Sequence, residues 1–282
     1  MTDKKLLGEV NMTNDEYHAA PGISCSHIKT LADGELDYFD KYVREPEPDQ
    51  EPEAPRDDLV LGTAIHSAIL EPDLFQSQFV EMPGFNLRSN AGKAERDAFV
   101  AENHGKTCLK PEDYLMALRC RDAVFGHPLA HKLFSSGRAE TSTFAIDELT
   151  GELVKCRTDW ENEALDAIVD VKSARSARQE DFERDAANLR YHFQPPWYFD
   201  VLERHRGWRP EHWIWLVIEK GRWPRVGVYY QPPEDIELDR IEVQRHFERL
   251  AELRRTGAWP RSYTDKEALP LGRPAWARRR AA

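Results

Sequence analysis

Cysteine is scarce in this chain, with only four in 282 residues (Cys25, Cys108, Cys120 and Cys156). No two have the C-x-x-C spacing of a zinc or redox site, which leaves free, mostly buried thiols as the expectation. No apolar run approaches the roughly 18 residues that a membrane-spanning helix needs. The opening MTDKKLLGEVNMTND lacks the apolar middle of a secretory signal. A soluble, cytoplasmic protein with no membrane partner is therefore expected. Positive charge is also short: 39 Lys and Arg face 50 Asp and Glu, a net charge of -11. That balance speaks against an extended nucleic-acid surface, although a local groove remains compatible with it. No internal repeat is visible.

Much of the acid sits in one place. The stretch Arg44 to Asp58, REPEPDQEPEAPRDD, holds seven carboxylates, four prolines and two arginines. Such a segment has little to bury and reads as a solvated linker. It divides an N-terminal part, residues 1–58, from a larger domain at 59–282. Within the first part, residues 1–20 read as a loose arm, and a helix begins where Ser24 or Ser26 can cap Ile28 and Leu31.

After the linker, LVLGTAIHSAILEPDLF reads as a helix stopped by Pro72, and a further helix runs from Pro111 to about Phe125. From Ala139 the pattern changes. AETSTFAID, ELVKCRTDW and LDAIVDVKS are three consecutive strands with short polar breaks, as in hairpins. A long helix from about Arg178 to Arg206, two more strands (HWIWLVIEK and RVGVYYQPP) and a helix ending at Gly257 complete the chain. Helices, strands, helix, strands and helix in that order predict an α/β or α+β fold with a mixed central sheet flanked by helices.

Chemistry concentrates on two of these strands. Asp159 ends one, and Asp170 and Lys172 lie two apart on the next, so the latter pair projects from one face. A D-x-K triplet is ordinarily a surface pair. Here, however, AIVDVKSA is otherwise apolar, and a carboxylate in a buried strand calls for a partner or a metal. Adjacent carboxylates repel unless a cation separates them, which suits a hard divalent ion. A lysine one pleat away could orient or deprotonate water.

The segments SCSHIK, LGTAIHSAILEP, KCRTDW, DAIVDVKSA, LRYHFQPPWYFD and the closing WP…LPLGRPAWA stand in an order that resembles the exodeoxyribonuclease VIII family. These are phage and prophage recombination exonucleases of the PD-(D/E)XK superfamily. The resemblance implies a restriction-endonuclease-like core and a Mg²⁺-dependent exonuclease, with Mn²⁺ able to substitute and no iron–sulfur cluster. The substrate would be double-stranded DNA ends, degraded 5′→3′; a single-strand annealing recombinase and a ring of copies are the implied partners. Asp159 and Asp170 would be the acidic ligands, the Val171 carbonyl would complete the shell, and Lys172 would be the catalytic lysine. His66 corresponds to an upstream histidine near the metal, and Gln194 and Tyr198 to a Q-x-x-x-Y motif. Glu140 opens a strand and is either a further ligand or a simple strand cap. Arg157, Ser173, Arg190 and Tyr191 border the motifs and could meet phosphates, or be ordinary surface and packing residues. Pro195 and Pro196 directly follow Gln194, and a helix break there would separate Gln194 from Tyr198.

Overall fold

A computed structural model describes residues 6–45, 57–264 and 268–273. Most of the acidic linker and the end of the closing motif lie outside these residues.

The chain begins with β1 (Gly8–Val10), α1 (Asn14–Ala19), α2 (Cys25–Asp33) and α3 (Glu35–Tyr42). There follow α4 (Asp57–Leu70), α5 (Pro72–Gln78), β2 (Phe79–Glu81), α6 (Asn90–Glu102), β3 (Thr107–Leu109), α7 (Pro111–Gly126) and α8 (Pro128–Leu133). The central strands are β4 (Arg138–Ile146), β5 (Leu153–Asn162) and β6 (Ala167–Ala174). The chain closes with α9 (Gln179–Asn188), α10 (Gln194–Arg206), β7 (His212–Glu219), β8 (Arg225–Tyr230) and α11 (Pro233–Thr256).

Six strands form one sheet in the order β1-β4-β5-β6-β7-β8. Only β6 and β7 run parallel in it; the other neighbours are antiparallel. The sheet is mixed and carries helices on both faces, as expected for an α+β fold. Alternation along the strands assigns the faces. Ile168, Trp213, Trp215 and Val217 pack with α2, α10 and α11. Val169, Val171, Leu216 and Ile218 pack with α4 and α7.

Two expectations need correction. The first 20 residues are not a loose arm throughout. Gly8–Val10 pairs with β4 at the sheet edge, and Thr13 caps α1 with a reciprocal bond to Glu16. The long helix expected over 178–206 is two helices. Arg190 adopts a left-handed backbone (φ 49°), and a 3-10 turn over Tyr191–Phe193 follows it. The prolines cause no break: Pro195 and Pro196 lie in the first turn of α10, where their missing N–H groups would have had no helical partner. Gln194 and Tyr198 therefore share one helix.

Candidate metal centre and its surroundings

The site forms where the sheet comes apart. Pairing of β5 with β6 runs from Asn162↔Ala167 to Trp160↔Val169, and the next pair, Asp159 and Asp170, is not joined. Asp159 fills the gap by accepting the Val171 N–H on Oδ2 at 2.7 Å. On the other side of β5, the register with β4 continues through Ala139↔Trp160 and Thr141↔Thr158 but omits Glu140 opposite Asp159. Glu140 takes a left-handed conformation there (φ 51°). For a residue with a Cβ this costs on the order of 1 kcal/mol, and the paired strand on both sides enforces it.

These two irregularities turn Glu140 and Asp159 toward α4. His66, Glu140 and Asp159 each offer one ligand atom, and all three atoms lie within 4.8 Å of one another. His66 Nδ1 is 3.7 Å from Asp159 Oδ2. One nitrogen and two carboxylate oxygens at this spacing fit a divalent cation. The electrostatics agree with that fit. Burial, and then the Asp159 charge beside it, push the Glu140 carboxyl up to about 7, against the opposing pull of Arg157. A cation would relieve both costs.

Asp170 stands next to this trio but closes on other partners. Its Oδ1 accepts from Gln194 Nε2 at 2.9 Å, and its Oδ2 contacts the Lys172 ammonium. Burial pushes Asp170 up to about 6 although Lys172 opposes the shift. Burial likewise works against the Lys172 charge, but Asp170 and Asp159 outweigh it and raise this lysine above its ordinary value. The Lys172 Nζ also lies 5.0 Å from the Tyr191 ring centroid and 5.5 Å from that of Trp215.

The remaining candidates divide by what they touch. The Val171 side chain, between Asp170 and Lys172 in sequence, is buried, and its backbone N–H holds Asp159. Tyr198 packs edge-on against Trp213 at 5.3 Å, one helical turn beyond Gln194. Arg157 faces inward, donating to Glu140 at 2.6 Å, to Ser142 Oγ at 2.6 Å and to the Met12 carbonyl at 3.0 Å. Arg190 is tied to Asp33 at 3.0 Å and lies 3.8 Å from Glu242. Tyr191 stacks on Trp215, and Ser173 lines an open cleft beside Lys172.

Lys29 received no role from its sequence, yet it belongs to these surroundings. Its Nζ lies 3.4 Å from Gln194 Oε1 and 5.1 Å from the Tyr191 ring centroid, and burial lowers its pKa. The signal was present in SCSHIK: Lys29 follows buried Cys25 by four residues, on the same stripe of α2.

No curated protein matches the chain significantly. Its fold is similar to the crystal structure of a "putative exonuclease" from Eubacterium rectale, with a TM-score of 0.59 and 15% identity over 94% of this chain and 96% of that one. A phage related exonuclease from Haemophilus somnus 129PT aligns with a TM-score of 0.34 and 10% identity, over 84% of this chain and 98% of that one. Among the described residues, no helix is long and apolar enough to cross a membrane. Residues 24–268 match the model of a PDDEXK-like domain of unknown function, and the chain belongs to that family.

Proposed function

We propose that this protein is a divalent-metal-dependent exodeoxyribonuclease of the exodeoxyribonuclease VIII type. It would degrade linear duplex DNA from its ends, 5′→3′, and expose single strands for a single-strand annealing recombinase in phage-type recombination. The observation that carries the reading is the meeting of Asp159, Asp170 and Lys172 at the parting of β5 and β6, with His66 and Glu140 beside them.

Asp159, Glu140 and His66 would hold the ion, and Asp170 and the Val171 carbonyl would join them once Asp170 turns from Lys172. An ion held there, Mg²⁺ or Mn²⁺, would supply Lewis acidity toward the phosphodiester and toward the attacking water. Lys172, released from Asp170, would stabilise charge building on the phosphate or take part in activating the water. Gln194 orients Asp170, and Arg157 holds Glu140 in its strained conformation. Tyr198 supports α10 from the core.

End-labelled linear duplex incubated with Mg²⁺ and with EDTA, beside covalently closed circular DNA, tests this. Loss of label from the linear substrate alone, abolished by EDTA, is expected. Cutting of the closed circle would make the enzyme an endonuclease, and retention of intact DNA by a metal-loaded protein would make it an end-binding protein. A ring around DNA would appear in light scattering as several times the mass of one chain.

A further inference from the structure

Lys29 reaches the metal centre from α2, yet among the described residues no carboxylate forms an ion pair with it. Burial lowers its pKa, and the nearby Lys172 charge acts in the same direction. A cation placed in this way costs stability instead of supplying it. What it can supply is direction, because its ammonium meets a side chain that has two different ends.

That side chain is Gln194. Its Oε1 accepts from the Lys29 ammonium at 3.4 Å, and its Nε2 donates to Asp170 Oδ1 at 2.9 Å. An ammonium only donates and an ionised carboxylate only accepts, so a single orientation of the amide satisfies both. Turned over, the amide would set its nitrogen against Lys29 and its oxygen against Asp170, and both bonds would be lost. Gln194 is the first residue of α10, directly after the 3-10 turn over Tyr191–Phe193. The helix fixes its backbone but leaves its side-chain torsions open, and the two partners close them. Tyr191 frames the group: its ring centroid lies 5.1 Å from Lys29 Nζ and 5.0 Å from Lys172 Nζ. Asp170 in turn meets Lys172 through its other oxygen, Oδ2. Lys29, Gln194, Asp170 and Lys172 thus form one continuous row.

We infer that Lys29 is a positioning residue: it locks the Gln194 amide so that Nε2 faces Asp170 and fixes Oδ1, which leaves Oδ2 as the oxygen free to change partners. The inference rests on the proposed nuclease reading, in which Asp170 turns from Lys172. It also makes α2, which precedes the acidic linker, a working part of the site.

Lys29→Met keeps the length of the side chain and removes its charge and donors, whereas Lys29→Arg keeps both. The lock is read first in EDTA and without DNA, by NMR of the full chain isotope-labelled at the glutamine side-chain nitrogens. The pair of amide signals missing from Gln194→Ala belongs to Gln194. These protons should exchange slowly with solvent in the wild type and in Lys29→Arg, and at least about tenfold faster in Lys29→Met. The thermal midpoint of Lys29→Met should not fall, since a costly buried charge has been removed. On linear duplex with metal, Lys29→Met should lower kcat about tenfold at unchanged KM, and Lys29→Arg should restore most of the loss. In a Gln194→Ala background, Lys29→Met should add less than about twofold, because the amide it acts through is already gone. Unchanged exchange in Lys29→Met, failure of that variant to fold, a raised KM in place of a lowered kcat, or an undiminished loss in the Gln194→Ala background would each overturn the lock. Faster exchange in Lys29→Met, with no degradation of linear DNA by metal-loaded wild type, would instead keep the lock and overturn the nuclease reading.

Discussion

Asp159 and Glu161 are two residues apart on β5, and both carry a carboxylate into the protein, but their surroundings are opposite. Glu161 is buried and fully answered. Its Oε2 accepts from Arg138 and Arg206, each at 2.8 Å, and its Oε1 accepts from Thr158 Oγ1 at 2.8 Å. The same arginines reach Glu9 on β1, each at 2.6 Å, and Glu163 beyond β5, each at 3.3 Å. The Arg138 hydrogen bond holds the Glu9 carboxyl below its ordinary value. At the other cluster, burial drives the carboxyls of Glu140 and Asp170 upward, to about 7 and about 6. Asp159 there has, among the described residues, a backbone N–H at 2.7 Å and a histidine nitrogen at 3.7 Å.

The two clusters show how one strand can serve stability at one end and chemistry at the other. Around Glu161, every carboxylate meets an arginine, and the group ties β1, β4, β5 and α10 together. Around Asp159, the backbone is strained at Glu140 and, among the described residues, Asp159 itself meets no lysine or arginine, a lack that a bound cation would offset. The largest expected effect separates the two roles. Glu161→Ala leaves two arginines without their buried partner and should cost about 3 kcal/mol of stability. Urea unfolding should show a lower midpoint at unchanged slope, with activity per folded molecule retained. A loss below about 1 kcal/mol would mean that Glu9 and Glu163 suffice, and the contrast between the clusters would weaken.

The next effect is read in activity. Lys172→Ala and Asp170→Asn should each reduce DNA cleavage by at least ~10²-fold, equivalent to about 2.7 kcal/mol of transition-state stabilisation. They should differ in metal binding, which calorimetric titration measures: nearly intact in the lysine variant and weakened in the Asn variant. Near wild-type cleavage by both would make the D-x-K triplet an ordinary buried ion pair.

These residues also mark what was legible in the sequence. Asp159, Asp170 and Lys172 could be placed together because a period of two and one short turn determine which side chains share a face. The mixed sheet and most of its strands were legible for the same reason. The parting of β5 from β6 was not, nor was the left-handed Glu140 on the other side of β5, since no local pattern announces either. Nor was the closing of Lys172 onto Asp170. Asp170→Asn therefore leaves a buried ammonium without its carboxylate and should not stabilise the metal-free protein, although relief of acid–acid repulsion alone would suggest that it should. The break expected at the proline pair falls instead at Arg190, whose turn is fixed by a contact to Asp33 on distant α2. Local propensity carries no information about that partner.

A smaller effect follows from pH. Glu140 and Asp170 have folded-state pKa values raised from ordinary values of 4.5 and 3.8. Between about pH 4 and 7 the folded protein therefore holds protons that the unfolded chain has released, so these groups make stability fall as pH rises through that window. The loss is on the order of 3 kcal/mol for each group in the metal-free protein. Buried His27, held near 4, acts with the opposite sign between about 4 and 6.5, so the effect must be read as a difference between variants. Glu140→Gln should gain stability relative to wild type as pH rises from 5 to 7 in EDTA. Saturating metal should remove that gain. Parallel profiles for the two proteins in EDTA would show that Glu140 is not strained by its neighbours.

The smallest effect concerns which ion is preferred. Mg²⁺ favours oxygen ligands in near-octahedral geometry and gives up its waters reluctantly, whereas an imidazole nitrogen favours the later first-row ions. With His66 Nδ1 beside two carboxylates, Mn²⁺ should bind about tenfold more tightly than Mg²⁺, a difference of about 1.4 kcal/mol. His66→Gln offers an oxygen of similar reach in place of the nitrogen and should narrow the ratio to about threefold, chiefly by weakening Mn²⁺. Calorimetric titration of both ions into both proteins measures the ratio, and the rise in thermal midpoint at fixed ion concentration gives a second reading of it. An unchanged ratio would show that His66 only orients Asp159 from 3.7 Å away. The ion would then rest on the carboxylates alone, and the unbalanced cluster on β5 would be purely acidic.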